Sequence, residues 1–182
     1  KSMKVAPNAF DDSHYMTHFE MFLLTEKRVA QNTFNAYRKD IEQLLQFLKK
    51  NKKTLKKCGQ PQLKKFLREM KHAGIGAKSL SRKISSLKIF FSFLHDRFDF
   101  VNKASALIFP ETEKKLPIYL TEQELQRLFD ASNRDNSYRG IRNKAMLYLL
   151  YASGMRVSEL VSMKLDQIHF DTGFISIVGK GN

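Results

Sequence analysis

The stretch ASGMRVSELVSMK, Ala152 to Lys164, decides how the second half of the chain is read. Gly154 is a natural stop for the apolar run from Ala145 to Ala152. Val157, Leu160, Val161 and Leu165 then recur at helical spacing, so a new helix opens here. Arg156 and Glu159 stand three residues apart at its mouth, which makes them neighbours on its surface. Two readings fit. The pair is either an ordinary surface ion pair, contributing roughly 0 to 1 kcal/mol, or a guanidinium held by its acid with donors to spare for an anion.

The rest of the chain weighs on that choice. With 182 residues and 42% hydrophobic composition, it can fill one ample core or two small ones. No apolar stretch approaches the ~20 residues of a membrane span, because Ser153 and Gly154 break the run around Ala145 to Met155. Lys1 and Lys4 lead into Pro7, Asn8, Asp11 and Asp12 rather than into an apolar signal segment. The single cysteine, Cys58, excludes an internal disulfide framework. These features predict a soluble, cytoplasmic protein with no membrane partner.

Charge is distributed unevenly. Lysine and arginine number 32 against 18 acids, a net +14. Residues 1–118 hold 24 basic and 11 acidic side chains, whereas residues 119–182 hold 8 and 7. The first part is therefore a polycation that attracts polyanions, nucleic acid first among them.

This basic part reads as four amphipathic helices. Tyr15, Phe19, Phe22 and Leu23 mark the first; Phe34, Tyr37, Ile41, Leu44, Leu45 and Leu48 the second, with Asn32 as its cap. Leu63, Phe66, Leu67 and Met70 mark a third between Pro61 and Gly74. Leu80, Ile84, Leu87, Phe91 and Leu94 mark a fourth, opened by Ser79. The four stripes would bury one another as a bundle. Lys39 and Gln43 fall away from the second stripe, and Lys78, Arg82 and Ser86 from the fourth. Cations interleaved with amides and hydroxyls suit a helix lying on duplex DNA, and they equally suit a plain solvated face. The lysine cluster Lys49, Lys50, Lys52, Lys53, Lys56 and Lys57 is open to the same two readings.

From Asn102 to Ile118 the helical period fails and Pro110 and Pro117 intervene, which predicts a linker. A capping box, Thr121 with Glu124, opens a helix to about Ala131. A second helix is expected from about Ile141 to Ala152, the Arg156 helix to about Ile168, and a strand over Phe174 to Val178. Gly179-Lys180-Gly181-Asn182 is turn chemistry.

Leu120-Thr121 with Glu124-Leu125, the run Leu150-Tyr151-Ala152-Ser153-Gly154-Met155-Arg156-Val157-Ser158-Glu159-Leu160, and Val178-Gly179-Lys180-Gly181-Asn182 resemble the opening of a tyrosine recombinase catalytic domain. The similarity is to the phage-integrase-like recombinases, and most of all to the Xer-type enzymes of bacteria. The separation of 24 residues between Arg156 and Lys180 fits that family. Thr33 with Tyr37 and Phe47, and Ser79-Leu80-Ser81-Arg82 with Phe91 and Leu94, resemble its helical core-binding domain. Leu116-Pro117 resembles its linker, although Lys103 stands where many relatives have proline.

The resemblance implies a mainly α protein. Residues 1–101 would form a four-helix, SAM-like core-binding domain, 102–118 a linker, and 119–182 the N-terminal portion of an α+β catalytic domain. Arg156 would bind the scissile phosphate, Glu159 would support it, and Lys180 would act as general acid to the leaving 5′ hydroxyl. Lys39, Gln43, Lys78, Arg82 and Ser86 would contact double-stranded DNA. No cofactor or metal is implied, since preorganised cations can stabilise phosphoryl transfer. Recombinases of this kind assemble as homo- or hetero-tetramers on two DNA sites, in chromosome-dimer resolution or element integration. The family's tyrosine nucleophile and second arginine are expected after Asn182. Tyr148 and Tyr151 read as core, and none of the six tyrosines here has the nucleophile's context. The chain is accordingly expected to be a fragment that binds DNA without recombining it. The alternative is a non-catalytic DNA-binding protein that keeps the fold.

Overall fold

The computed structural model describes residues 11–111 and 116–177. The chain divides into two units between Lys114 and Lys115. The first is a helical bundle of α1 (Asp12–Thr25), α2 (Gln31–Lys50), α3 (Gln60–His72) and α4 (Ala77–Phe98). Each has a local reason to start. Asp11 caps α1 by accepting the His14 N–H at 3.0 Å. The Gln62 side chain accepts the Gly59 N–H at 2.9 Å, and Pro61 sits in the first turn of α3, where its missing N–H costs nothing. Two caps differ from expectation. Helix α2 begins after Ala30 and α4 after Gly76, so Asn32 and Ser79 lie inside first turns rather than capping them. In both cases extended backbone two or three residues earlier already provides the entry.

The four stripes do pack together. Tyr15, Phe19, Leu23, Ile41, Leu44, Leu48, Leu63, Phe66, Leu87, Phe90, Phe91 and Leu94 form one core, with Phe19 edge-on to Phe90 at 4.9 Å. The core extends past the helices. Leu55 and Cys58 seal it from the loop before α3, and Phe100, Ala104 and Leu107 seal it after α4. The stretch read as a linker from residue 102 therefore starts as part of the bundle, and Lys103 donates to the Lys56 carbonyl at 3.0 Å. Burial pushes the Cys58 thiol up to about 11, which leaves it an inert core residue.

The second unit contains α5 (Glu122–Ser132), α6 (Tyr138–Ser153) and α7 (Val157–Ser162), then a single 3-10 turn (Leu165–Gln167), β1 (Ile168–His169) and β2 (Phe174–Ile175). The expected capping box is present: Thr121 N–H donates to Glu124 Oε2 at 2.8 Å, and Glu124 N–H to Thr121 Oγ1 at 3.3 Å. Ser137 caps α6 by accepting the Gly140 N–H, which starts that helix three residues before Ile141. Gly154 ends it in the left-handed region at φ 64°.

The Arg156 helix is shorter than its periodicity suggested. The Ser162 hydroxyl bonds back to the Ser158 carbonyl at 2.9 Å, Met163 and Lys164 turn extended, and Gln167 Oε1 takes the Lys164 N–H. Ile168–His169 then pairs antiparallel with Phe174–Ile175 through a turn carrying Gly173 at φ 70°. Val178, Gly179, Lys180, Gly181 and Asn182 lie outside the described residues. Among the described residues no helix is long and apolar enough to cross a membrane.

Among the described residues of this unit, Phe129, Met155 and Leu160 are the buried hydrophobic ones. Tyr148 and Tyr151, read as core, flank Phe129 at ring distances of 4.5 and 5.3 Å but remain 42% and 64% exposed. Each covers Phe129 with part of its ring and leaves the rest in solvent.

Candidate phosphate-binding site

Arg156 is the N-cap residue, immediately before the first residue of α7. Its backbone is extended, φ −75° and ψ 152°, so its own N–H is one of the unpaired donors of a helix start. Glu159, three residues on, satisfies it: Oε2 accepts the Arg156 N–H at 2.7 Å, while Oε1 accepts from Nη1 at 2.7 Å. One carboxylate thus grips both the backbone and the side chain of the same arginine. The consequence is asymmetric exposure. Glu159 is 15% exposed at its side chain and Arg156 68%, so the acid is recessed and the cation presented. Gly154 and buried Met155 fix the approach from α6.

Both contacts from Arg156, the backbone N–H first and the side chain second, hold the Glu159 carboxyl below its ordinary value of 4.5. Because the folded value is lowered, this contribution to stability is complete above the ordinary value and disappears as pH falls through the folded one. In a carbon-detected NMR titration, Glu159 should titrate below 4.5 and return toward it in Arg156→Ala. Alanine keeps the backbone N–H, so the return is partial, and a midpoint unchanged by that substitution would show that the side-chain half of the grip does not persist in solution.

Beside Glu159 lies a cavity of about 370 Å³ whose rim includes Ser162, Lys164, Gln167 and Ser176. It gives the second unit a polar hollow that Glu159 helps to line. Lys180, the third catalytic candidate, lies outside the described residues.

The first unit treats its candidates differently. Lys39 and Lys78 are exposed, as an outer face requires. Ser86 is not: it is fully buried, its hydroxyl 2.8 Å from the Lys83 carbonyl and 3.3 Å from Asp40 Oδ2. Its assignment to a DNA-facing surface is corrected, because it belongs to the α2–α4 interface. Gln43 is half-buried and uses its side-chain oxygen to accept from Lys83 Nζ. Arg82 donates Nη1 to the Ala36 carbonyl at 3.0 Å and to Asp40 Oδ2, and stays 38% exposed at its side chain.

At the centre is a pair that the face-by-face reading missed. Asp40 and Lys83 are buried, 1% and 2% exposed, with Lys83 Nζ 2.7 Å from Asp40 Oδ1. A signal existed. Asp40 falls between Tyr37 and Leu44 at spacings of three and four, and Lys83 between Leu80 and Leu87 likewise, so opposite charges sit on the apolar stripes of two helices.

Comparison with known proteins agrees with this architecture. The phage integrase N-terminal SAM-like domain matches residues 16–97, and the phage integrase family domain matches residues 119–182. The chain is 36% identical over 172 residues to tyrosine recombinase XerD of Pasteurella multocida (strain Pm70), covering 94% of this chain and 58% of that protein. It is 35% identical over 166 residues to tyrosine recombinase XerC of Anoxybacillus flavithermus (strain DSM 21510 / WK1), covering 90% and 55%. The chain thus spans somewhat more than half the length of these relatives. Among solved structures, it shares its fold with the XerH site-specific recombinase bound to its difH substrate, at TM-score 0.75 and 18% identity over 98% of this chain and 66% of that one. A lambda integrase dimer bound to a COC′ core site superposes at TM-score 0.69 and 17% identity, over 94% and 49%. With both units matched, and relatives at this identity along nearly all of its length, the chain belongs to the phage integrase family of tyrosine recombinases.

Proposed function

We propose that this chain is the DNA-binding and phosphate-clamping part of a site-specific tyrosine recombinase. The observation that carries the proposal is the Arg156–Glu159 arrangement, an arginine fastened at backbone and side chain and left mostly exposed. Phosphoryl transfer places negative charge on non-bridging oxygens. A cation whose orientation is already fixed stabilises that charge without reorganising at the moment of reaction. Arg156 binds the scissile phosphate in this reading, Glu159 positions it, and Lys180 delivers a proton to the departing 5′ oxygen. The basic first unit supplies duplex affinity, with Lys39 and Lys78 as phosphate contacts.

The reaction breaks a phosphodiester, forms a 3′-phosphotyrosyl bond and later reverses the exchange on a partner duplex, so bond energy is conserved and no cofactor is needed. None of the six tyrosines of this chain serves as the nucleophile in this reading. By itself the chain binds DNA without cutting it. The whole protein works in the cytoplasm, as a homo- or hetero-tetramer on two DNA sites.

Selection of this chain on a pool of random duplexes at rising salt tests the proposal. Enrichment of a short half-site, with affinity falling steeply as salt rises, is expected. Tight binding to a pool that stays random would reduce the basic unit to an electrostatic anchor and remove the site-specific reading.

A further inference from the structure

The ion cluster between α2 and α4 carries one more positive than negative charge. Lys83 is absorbed inside it: its ammonium donates to Asp40 Oδ1 and Gln43 Oε1, and its side chain is 3% exposed. Arg82 is only half absorbed. Nη1 alone makes both inward bonds, to Asp40 and to the Ala36 carbonyl, leaving Nε and Nη2 for a partner outside the cluster while 38% of the side chain meets solvent. The excess charge of the cluster thus sits on Arg82, the member of its three charged groups that reaches the surface.

A guanidinium tied down on one edge has little rotamer freedom left to lose when it takes an anion, and its planar fork suits a phosphate. Its neighbours favour the same ligand. Lys78 lies one turn before Arg82 on α4 and Lys39 directly before Asp40 on α2, and both are exposed. We infer that Arg82 binds a backbone phosphate of duplex DNA and that Asp40 is its positioning residue. The inference rests on the DNA-binding reading above and assigns one contact within it. It repeats in the first unit, with different residues, what Glu159 does for Arg156: a carboxylate fastens one side of an arginine and leaves the other free.

Binding to a fluorescein-labelled duplex of random sequence, titrated at several salt concentrations, tests this in the 182-residue chain. Arg82→Gln should weaken binding about tenfold and lower the slope of log K against log salt by about one. Arg82→Lys keeps the charge but loses the fork, and should lie closer to Arg82→Gln than to the unaltered chain. Asp40→Asn provides the sharpest contrast. Deleting an acid ordinarily tightens binding to a polyanion, whereas loss of a brace weakens it several-fold.

An Arg82→Gln slope equal to that of the unaltered chain, or an Arg82→Lys affinity equal to it, overturns the inference. So does tighter binding by Asp40→Asn that keeps its helical circular dichroism. If Asp40→Asn loses that signal, the two Arg82 variants decide alone. Absence of salt-dependent binding by the unaltered chain would instead sink the DNA-binding reading itself, which failure of the Arg82 variants leaves standing.

Discussion

Replacing Arg156 with alanine should lower strand cleavage by the whole recombinase about 10²- to 10³-fold, the usual cost of losing one preorganised donor to a developing oxyanion. Duplex affinity should change far less, because one phosphate contact among several is lost and the salt slope falls by only about one. The separation of the two effects matters. An exposed surface ion pair contributes little to stability, so Arg156→Ala should melt close to the unaltered protein while failing in chemistry. Arg156→Lys should not restore the rate. A lysine lacks the fork that bonds Glu159 and a phosphate together, and Glu159 already occupies Nη1 at 2.7 Å. Cleavage rates on a duplex carrying the selected site, measured under single-turnover conditions, provide the check. Near-normal cleavage by Arg156→Ala would return the pair to the status of a helix-surface salt bridge.

The second large effect concerns stability. Asp40→Ala leaves Lys83 buried without its carboxylate, and breaking a buried pair from one side typically costs about 3 to 5 kcal/mol. For a unit of this size that corresponds to a fall of more than about 10 °C in the first unit's thermal midpoint. The double replacement Asp40→Leu with Lys83→Met should recover much of the loss, since a well-packed apolar pair often matches a buried ionic one. A midpoint that moves by no more than about 3 °C in Asp40→Ala would mean that water reaches the cluster and screens it.

The helices of both units were legible because each writes its apolar stripe into a short stretch of sequence. Leu63, Phe66, Leu67 and Met70 are enough to place α3. What escaped depends on pairing between distant positions. Asp40 and Lys83 are polar, and a rule that sends polar residues outward places their neighbours Gln43 and Ser86 outward with them. Their places on two apolar stripes signal burial, and the approach of α2 to α4, more than forty residues away, makes the charges meet. Ala104 and Leu107 pack into the bundle from an aperiodic stretch, where single apolar residues give no signal of burial. The caps at Asn32 and Ser79 were misplaced because Ala30 and Gly76 enter their helices by backbone conformation alone, without a side-chain cap. Arg156 and Glu159, by contrast, lie within one turn of each other, so local spacing was sufficient to bring them together.

Covalent chemistry at a site that this chain selects is what separates a recombinase from a DNA-binding protein of the same fold. The whole recombinase should be incubated with a duplex bearing that site and a nick just beyond the scissile phosphate, so that the cleaved end diffuses away. A protein–DNA adduct that survives denaturation, joined through the 3′ phosphate and lost in Arg156→Ala, is the predicted result. Specific binding without any adduct would contradict the account and leave a DNA-binding protein that keeps the recombinase fold and has given up its chemistry.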